Sequence, residues 1–176
     1  MIHSHHMKLL NEISDASLGL TDFEILHKKF ELRKSARAIL LNTEGLIAIQ
    51  YLNNHHFHKL PGGGVEIGET IPEALLREIK EEVGCKAQIT KDIGVVIEYR
   101  KEHELMHISY CFAAHIDGVP SSPALEQAEI DEGMVTLWMS PEEAISRMET
   151  DVPTTYQGKF ILERELSFLR EFVKDL

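Results

Sequence analysis

Apolar and polar positions along the chain sort into short β-type runs around one amphipathic helix. Residues 35–41 (SARAILL) and 46–52 (LIAIQYL) are rich in β-formers and flank residues 42–45 (NTEG), a hairpin signal. Asn53 and Asn54 mark a further turn, and residues 57–60 form a short strand running into the glycines at 62–64. A helix is predicted over 70–83, then two strands over 87–100 and 105–116, joined around residues 101–104. Residues 117–133 hold Pro120, Pro123 and several acids and read as a loop, of a length that is usually functional in a compact domain. Residues 134–139 (MVTLWM) read as a strand. Ser140 then caps a helix that has Pro141 at its first position. A last helix is predicted over 159–174. Its stripe of Leu162, Leu166, Leu169 and Val173 packs on the domain's own core or serves as a homodimer contact. Upstream, residues 7–30 are mixed: 17–20 (SLGL) suggest a turn and Thr21 a cap for a short helical or extended piece. Residues 1–6 precede a second methionine, Met7, and read as an expression remnant or disordered end rather than a metal site.

The helix over 70–83 carries an unusual charge pattern. Glu78, Glu81 and Glu82 follow i, i+3, i+4 spacing and share one arc, while Leu76, Ile79 and Val83, with Pro72 behind them, are expected to face a core. Gly84 is the expected C-terminal stop, so Glu81 and Glu82 fall in the last turn. Negative charge there opposes the helix dipole, and carboxylates at i, i+4 repel by a few tenths, about 0.2–0.5 kcal/mol. A bound cation would remove that conflict.

Composition narrows the partners. A chain of 176 residues with 43% apolar and 27% charged residues makes one globular domain, and no apolar run reaches the ~20 residues of a membrane span. The formal charge of −11 argues against a nucleic-acid polymer, but allows a small phosphorylated substrate where divalent cations bridge acid and phosphate. Cys85 and Cys111 read as reduced, buried thiols of a cytoplasmic protein. His55, His56 and His58 fit a turn entering a strand better than a metal site, although one of them borders the glycines and is placed to touch substrate. Tyr51, Phe57, Tyr99 and Trp138 are core aromatics or surfaces for a base. The glycine run lacks the lysine of a P-loop.

One spacing is more specific. Gly63, five residues, Glu69, seven residues, then Arg77, Glu78, Ile79, Glu81, Glu82, Gly84 and Cys85 resemble the Nudix box, G-x5-E-x7-R-E-U-x-E-E-x-G-U with U aliphatic. Only Cys85 departs, and it keeps a small apolar group at a packing position. The resemblance extends over roughly residues 32–147. It implies an α/β/α sandwich around a mixed β-sheet over 32–150, with residues 1–31 as an N-terminal extension and 151–176 as an added C-terminal helix packed on the domain. It further implies hydrolysis of a nucleoside diphosphate linked to another moiety, with Mg²⁺ or Mn²⁺. By this similarity Glu78 and Glu82 are the chief metal ligands, with Glu81 and the Gly62 or Gly63 carbonyl adding to them. Glu69 pairs with Arg77, and Gly63 and Gly64 leave room for the diphosphate. The general base in related enzymes is a box glutamate or a loop acid. Among Glu126, Glu129, Asp131 and Glu132 the favoured residues are Glu129 and Glu132. Substrates left open are ADP-ribose, nucleotide sugars, oxidised nucleoside triphosphates and dinucleoside polyphosphates. The alternative is a non-catalytic nucleotide-binding or sensing module of the same fold, although such relatives usually lose box glutamates and this chain keeps all four.

Overall fold

The computed structural model describes residues 7–20, 29–174 and 176; the expectations for residues 1–6 and Thr21 lie outside them. The elements are β1 (Leu9–Ser14), β2 (Glu31–Leu41), β3 (Ile47–Leu52), β4 (Phe57–Lys59), α1 (Ile71–Glu82), β5 (Lys86–Arg100), β6 (Leu105–Asp117), α2 (Gln127–Asp131), β7 (Met134–Met139), α3 (Pro141–Thr150) and α4 (Tyr156–Val173).

β2 shows how the layers arise. Residues 35–40, apolar except for Ser35 and Arg37, are buried on both faces. Ala36, Ala38 and Leu40 pack with Leu75, Ile79 and Val83 of α1, while Ile39 packs with Ala144 and Met148 of α3 and Phe160, Phe168 and Leu169 of α4. The period of two thus assigns alternate residues to two helical layers. The seven-stranded sheet runs β1-β5-β6-β2-β3-β4, with β7 paired to β3. It is mixed: β1/β5 and β2/β6 are parallel and the other pairs antiparallel. Helix layers on both faces of a mixed sheet are the α/β/α arrangement expected.

Several expectations need correction. Leu76 is 39% exposed and Pro72 is exposed too; Leu75 takes the inward place with Ile79 and Val83. Leu75, Ile79 and Glu82 recur at spacings of four and three, so the stripe that fills the core also turns Glu82 inward, to 1% exposure. The mixed N-terminal region contains a true strand, because β1 finds a parallel partner in β5 from Leu9 opposite Val95 onward. β2 starts earlier than expected because its pairing with β6 begins at Glu31 opposite Leu105. The 117–133 segment is not wholly loop, since it folds α2. α4 begins at Tyr156, where Thr155 Oγ1 accepts the Gly158 amide at 3.0 Å.

The C-terminal helix packs on the domain's own core through Phe160, Leu166, Phe168, Leu169 and Phe172. Lys8 Nζ lies 2.5 Å from Glu171 Oε1 and Asn11 Nδ2 donates to Ser167 Oγ at 3.0 Å, so the first strand and the last helix clasp each other. Both cysteines are free and buried. Among the described residues no helix is long and apolar enough to cross a membrane.

Candidate active site

The site begins with the glycine run 62–64. β2 and β3 pair only at Leu41–Ile47. Beyond that pair, residues 61–64 lie along β2 instead: Ala38 N donates to Pro61 O at 2.9 Å and Ala36 N to Gly63 O at 3.0 Å. Glycine is required at two positions. Gly62 has φ +125°, and a Cβ on it would sit 2.2 Å from Ala36 O; a Cβ on Gly63 would sit 2.3 Å from Glu78 Oε1.

α1 enters through a capping box, with Glu73 N donating to Thr70 Oγ1 and Thr70 N to Glu73 Oε2. At its other end Gly84, at φ +75°, donates its amide to Lys80 O. The carbonyls of Glu81 and Gly84 are capped by the amides of Ala124 and Ser121, both at 2.8 Å. The long segment after β6 is therefore tied to the end of α1 before it forms α2. Asn53 and Asn54 tie down its far side through Gly133 O at 2.7 Å and Asp131 O at 2.6 Å.

Arg77 is the hub of the acidic face. Its Nε donates to Glu69 Oε1 at 2.8 Å, Nη1 to Glu78 Oε1 at 2.9 Å and Glu81 Oε2 at 3.0 Å, and Nη2 to Gly64 O at 2.9 Å. Glu69, itself accepting the Glu66 amide at 3.0 Å, is held below the usual carboxylate range by Arg77 and that amide. The Arg77 guanidinium is correspondingly held protonated, first by Glu69.

Glu82 is oriented differently, with Oε2 accepting the Gly62 amide at 2.6 Å and Oε1 3.3 Å from Lys59 Nζ. Glu78, Glu82 and Glu129 converge, each offering a carboxylate oxygen within 4.8 Å of the others. Burial, then the Glu82 carboxylate, pushes the Glu78 pKa up. Burial chiefly, aided by Glu82, pushes Glu129 up to about 7 although the Glu126 amide opposes it. All three line a cavity of about 520 Å³, with Gly62, Gly63, Gly64, Arg33, Arg37 and the first turn of α4 on its other walls.

A family model described as NUDIX domain matches residues 31–158. The chain belongs to the Nudix family. Among curated relatives, the RNA pyrophosphohydrolase of Erythrobacter litoralis is 33% identical over 82 residues, 45% of this chain and 49% of that protein. The ADP-ribose pyrophosphatase of Methanocaldococcus jannaschii is 56% identical over 36 residues, 20% of this chain and 21% of that one. These matches span half or less of the curated relatives' lengths. Among solved structures, a UDP-X diphosphatase aligns with TM-score 0.56 and 15% identity, over 92% of this chain and 76% of that one. A NUDIX hydrolase from Nitrosomonas europaea aligns with TM-score 0.56 and 17% identity, over 76% of this chain and 89% of that one. Both show a shared fold.

Nudix hydrolases generally use divalent metal ions, and the donors here fit one. They are all oxygen, as Mg²⁺ or Mn²⁺ prefers, and a cation would relieve the repulsion that raises Glu78. Glu81 lies outside the convergent group, on Arg77. The Gly62 contact with the glutamates is its amide, and the Gly63 carbonyl is taken by Ala36. Of the loop acids favoured as base, Glu129 enters the convergent group. Glu132 stands at the cavity wall, 4.0 Å from His55 Nε2. The histidines disperse: His58 is buried on Asp151 at 2.9 Å and His55 lines the cavity. Of the flagged aromatics, Phe57 lines the cavity, Tyr99 stands edge-on to Phe30 and Trp138 packs beside α1.

The sequence reading missed Arg37, Lys59 and Tyr156, all of which line the Nudix cavity. Arg37 had a visible signal, a lone charge inside the apolar run 35–41. Lys59 had one too, its place three residues before the first glycine, whereas Tyr156 had none, since it reaches the site only through the fold.

Proposed function

We propose that this protein hydrolyses a phosphoanhydride bond in a nucleoside diphosphate derivative of the ADP-ribose or nucleotide-sugar type, or in a nucleoside triphosphate such as an oxidised deoxynucleotide, with Mg²⁺ or Mn²⁺. The observation that carries this reading is the convergence of Glu78, Glu82 and Glu129 in the wall of the 520 Å³ cavity. The printed names of the relatives, RNA pyrophosphohydrolase and ADP-ribose pyrophosphatase, refer to the same kind of bond. The net charge of −11 favours a small nucleotide over a polymer.

Glu78 and Glu82, with Glu81 as a further ligand, would hold a divalent cation, which would supply neutralising charge at the diphosphate and make a water there more acidic. The chain's own residues supply position. Gly62 N–H and Lys59 hold Glu82, while Arg77, braced by Glu69, holds Glu78. Gly63 and Gly64 line the cavity without side chains, where the diphosphate lies. As a water oxygen attacks phosphorus, the Glu129 carboxylate accepts its proton. The phosphorus–oxygen bond to the leaving phosphate breaks in the same in-line displacement. Glu132 stands further out, beside His55, and positions α2.

The test is turnover of a panel with Mg²⁺ or Mn²⁺: ADP-ribose, UDP-sugars, an oxidised deoxynucleoside triphosphate, a diadenosine polyphosphate and a 5′-triphosphorylated oligoribonucleotide. Chromatography of the products identifies the phosphorus attacked. Release of a nucleoside monophosphate or of inorganic diphosphate is expected. Tight binding of a member of the panel with no turnover of any would replace the enzyme with a nucleotide-sensing module.

A further inference from the structure

Arg37 stands in the cavity wall on the same strand as Arg33, and the fold alone does not account for it. It is only 7% exposed, yet its Nε and Nη1 make no hydrogen bond. The carboxylate paired with it, Glu165, lies 3.9 Å from Nε, and the same Glu165 oxygen already accepts Arg164 Nε at 3.2 Å. Buried guanidinium donors without partners are costly, and proteins rarely keep them without a use.

The charge beneath the cavity points the same way. Among the described residues, the ion pairs of Arg37, Arg100 and Arg164 there are with Glu98 and Glu165. His107, between Ser35 Oγ at 2.9 Å and Glu98 Oε2 at 2.9 Å, is held neutral by burial, its pKa near 4. Three guanidiniums against two carboxylates leave one positive charge uncompensated. Burial and Arg164 lower the pKa of Arg37, the direction expected where negative charge is short. On the cavity side the nearby acids are Glu78 and Glu82. Both are already engaged within the protein, Glu78 with Arg77 Nη1 and Glu82 with the Gly62 amide and Lys59.

We infer that Arg37 is a substrate-binding residue, an anion receptor that takes a phosphate of the ligand while the glutamate cluster serves the rest of the diphosphate. Guanidinium groups match phosphate oxygens in pairs, and Arg37 lines the cavity with its buried Nε and Nη1 unsatisfied by the protein. The ligand class is a nucleotide or related molecule with at least two linked phosphates, long enough to span from Glu78 and Glu82 to Arg37. This assignment rests on the diphosphatase reading for the identity of the ligand, but not for the existence of the anion site.

The probe is α,β-methylene ADP, which cannot be cleaved at its phosphorus–carbon bridge, titrated calorimetrically into the full chain with Mg²⁺ and again in EDTA. Arg37→Gln is expected to weaken binding at least about tenfold in both conditions. Arg37→Lys should retain part of the affinity. The melting temperature of Arg37→Gln should equal or exceed that of the parent, since the cluster loses its surplus charge. A merely structural arginine gives the reverse, a lower melting temperature with affinity unchanged within twofold, and that result overturns the inference. If Arg37→Gln does not fold, Arg37→Lys decides: parental affinity for the probe refutes the receptor role, and weakened affinity at parental stability supports it. Inorganic phosphate, titrated in parallel, separates a site for the free ion from one that needs the linked diphosphate. Arg37-dependent binding without turnover of any panel member would remove the diphosphatase reading and leave the receptor standing. Turnover with KM unchanged in Arg37→Gln would do the opposite.

Discussion

The two sides of the cavity treat arginine in opposite ways. Around Arg77 every donor direction is used: three carboxylates and a backbone carbonyl surround one guanidinium. Around Arg37 the guanidinium is more deeply buried and two of its nitrogens stand unpaired. The first region is complete without a ligand, and its arginine fixes the carboxylates beside it. The second is electrostatically incomplete, with three guanidiniums against two carboxylates. Position within the same cavity does not decide what a charged residue does; whether its bonds are already made inside the fold does.

The sharpest way to break this contrast is at Glu82, whose hydrogen bonds go to Gly62 and Lys59 rather than to either arginine. Glu82→Gln should lower turnover by about three orders of magnitude in steady-state assays with Mg²⁺. The melting temperature should hold, because removing one of two repelling acids relieves Glu78. Retained turnover would contradict the ligand assignment.

Arg77→Gln should cost roughly 10- to 100-fold in turnover. Stability should also fall, by about 1–3 kcal/mol in urea titrations, as Glu69, Glu78 and Glu81 lose their shared partner. Arg37→Gln should lose ligand affinity without losing stability, so equal effects of the two substitutions on melting would erase the distinction.

Acid should find the floor beneath Arg37. The His107 pKa lies near 4 in the fold against an ordinary 6.5, so the unfolded chain takes up the proton first and stability drops as pH falls from about 6.5 to 4. Burial alone would raise Glu98, but Arg164, His107 and Arg100 bring it down to about 2. Its contribution is present above its ordinary value of 4.5 and is lost as pH falls towards 2. Each effect is on the order of 3 kcal/mol. Urea unfolding at pH 7 and pH 4.5 measures the first, and His107→Gln should flatten it. The smallest expected effect is at Asn54→Ala, which frees α2 from Asp131 O. It should lower turnover roughly threefold by loosening Glu129, with little change in melting.

The carboxylate side was legible in the sequence because its geometry is local. Arg77, Glu78, Glu81 and Glu82 lie within two turns of one helix, and Glu69 pairs with Arg77 from just before it. The core face of that helix was misread by one residue because Leu75 and Leu76 are adjacent leucines. Only packing against Ala36, Ala38 and Leu40 chooses Leu75. α2 was invisible as a helix, since five residues are too few to display a period. The floor was the least legible part. It joins Arg37, Glu98 and Arg164 from three distant segments, and a single chain pattern does not reveal that two strands and a terminal helix bring them together.

The clasp between β1 and α4 has a consequence for how a ligand is met. α4 supplies a wall of the cavity through residues 155–158, carries the buried Arg164 and Glu165, and holds the first strand at Lys8 and Asn11. A wall built this way opens only when the core opens, so backbone amides within α4 should exchange with deuterium at nearly the slowest rate in the protein. A nucleotide bound there would meet a preformed wall rather than one it must order, and little of its binding energy would go into folding the site.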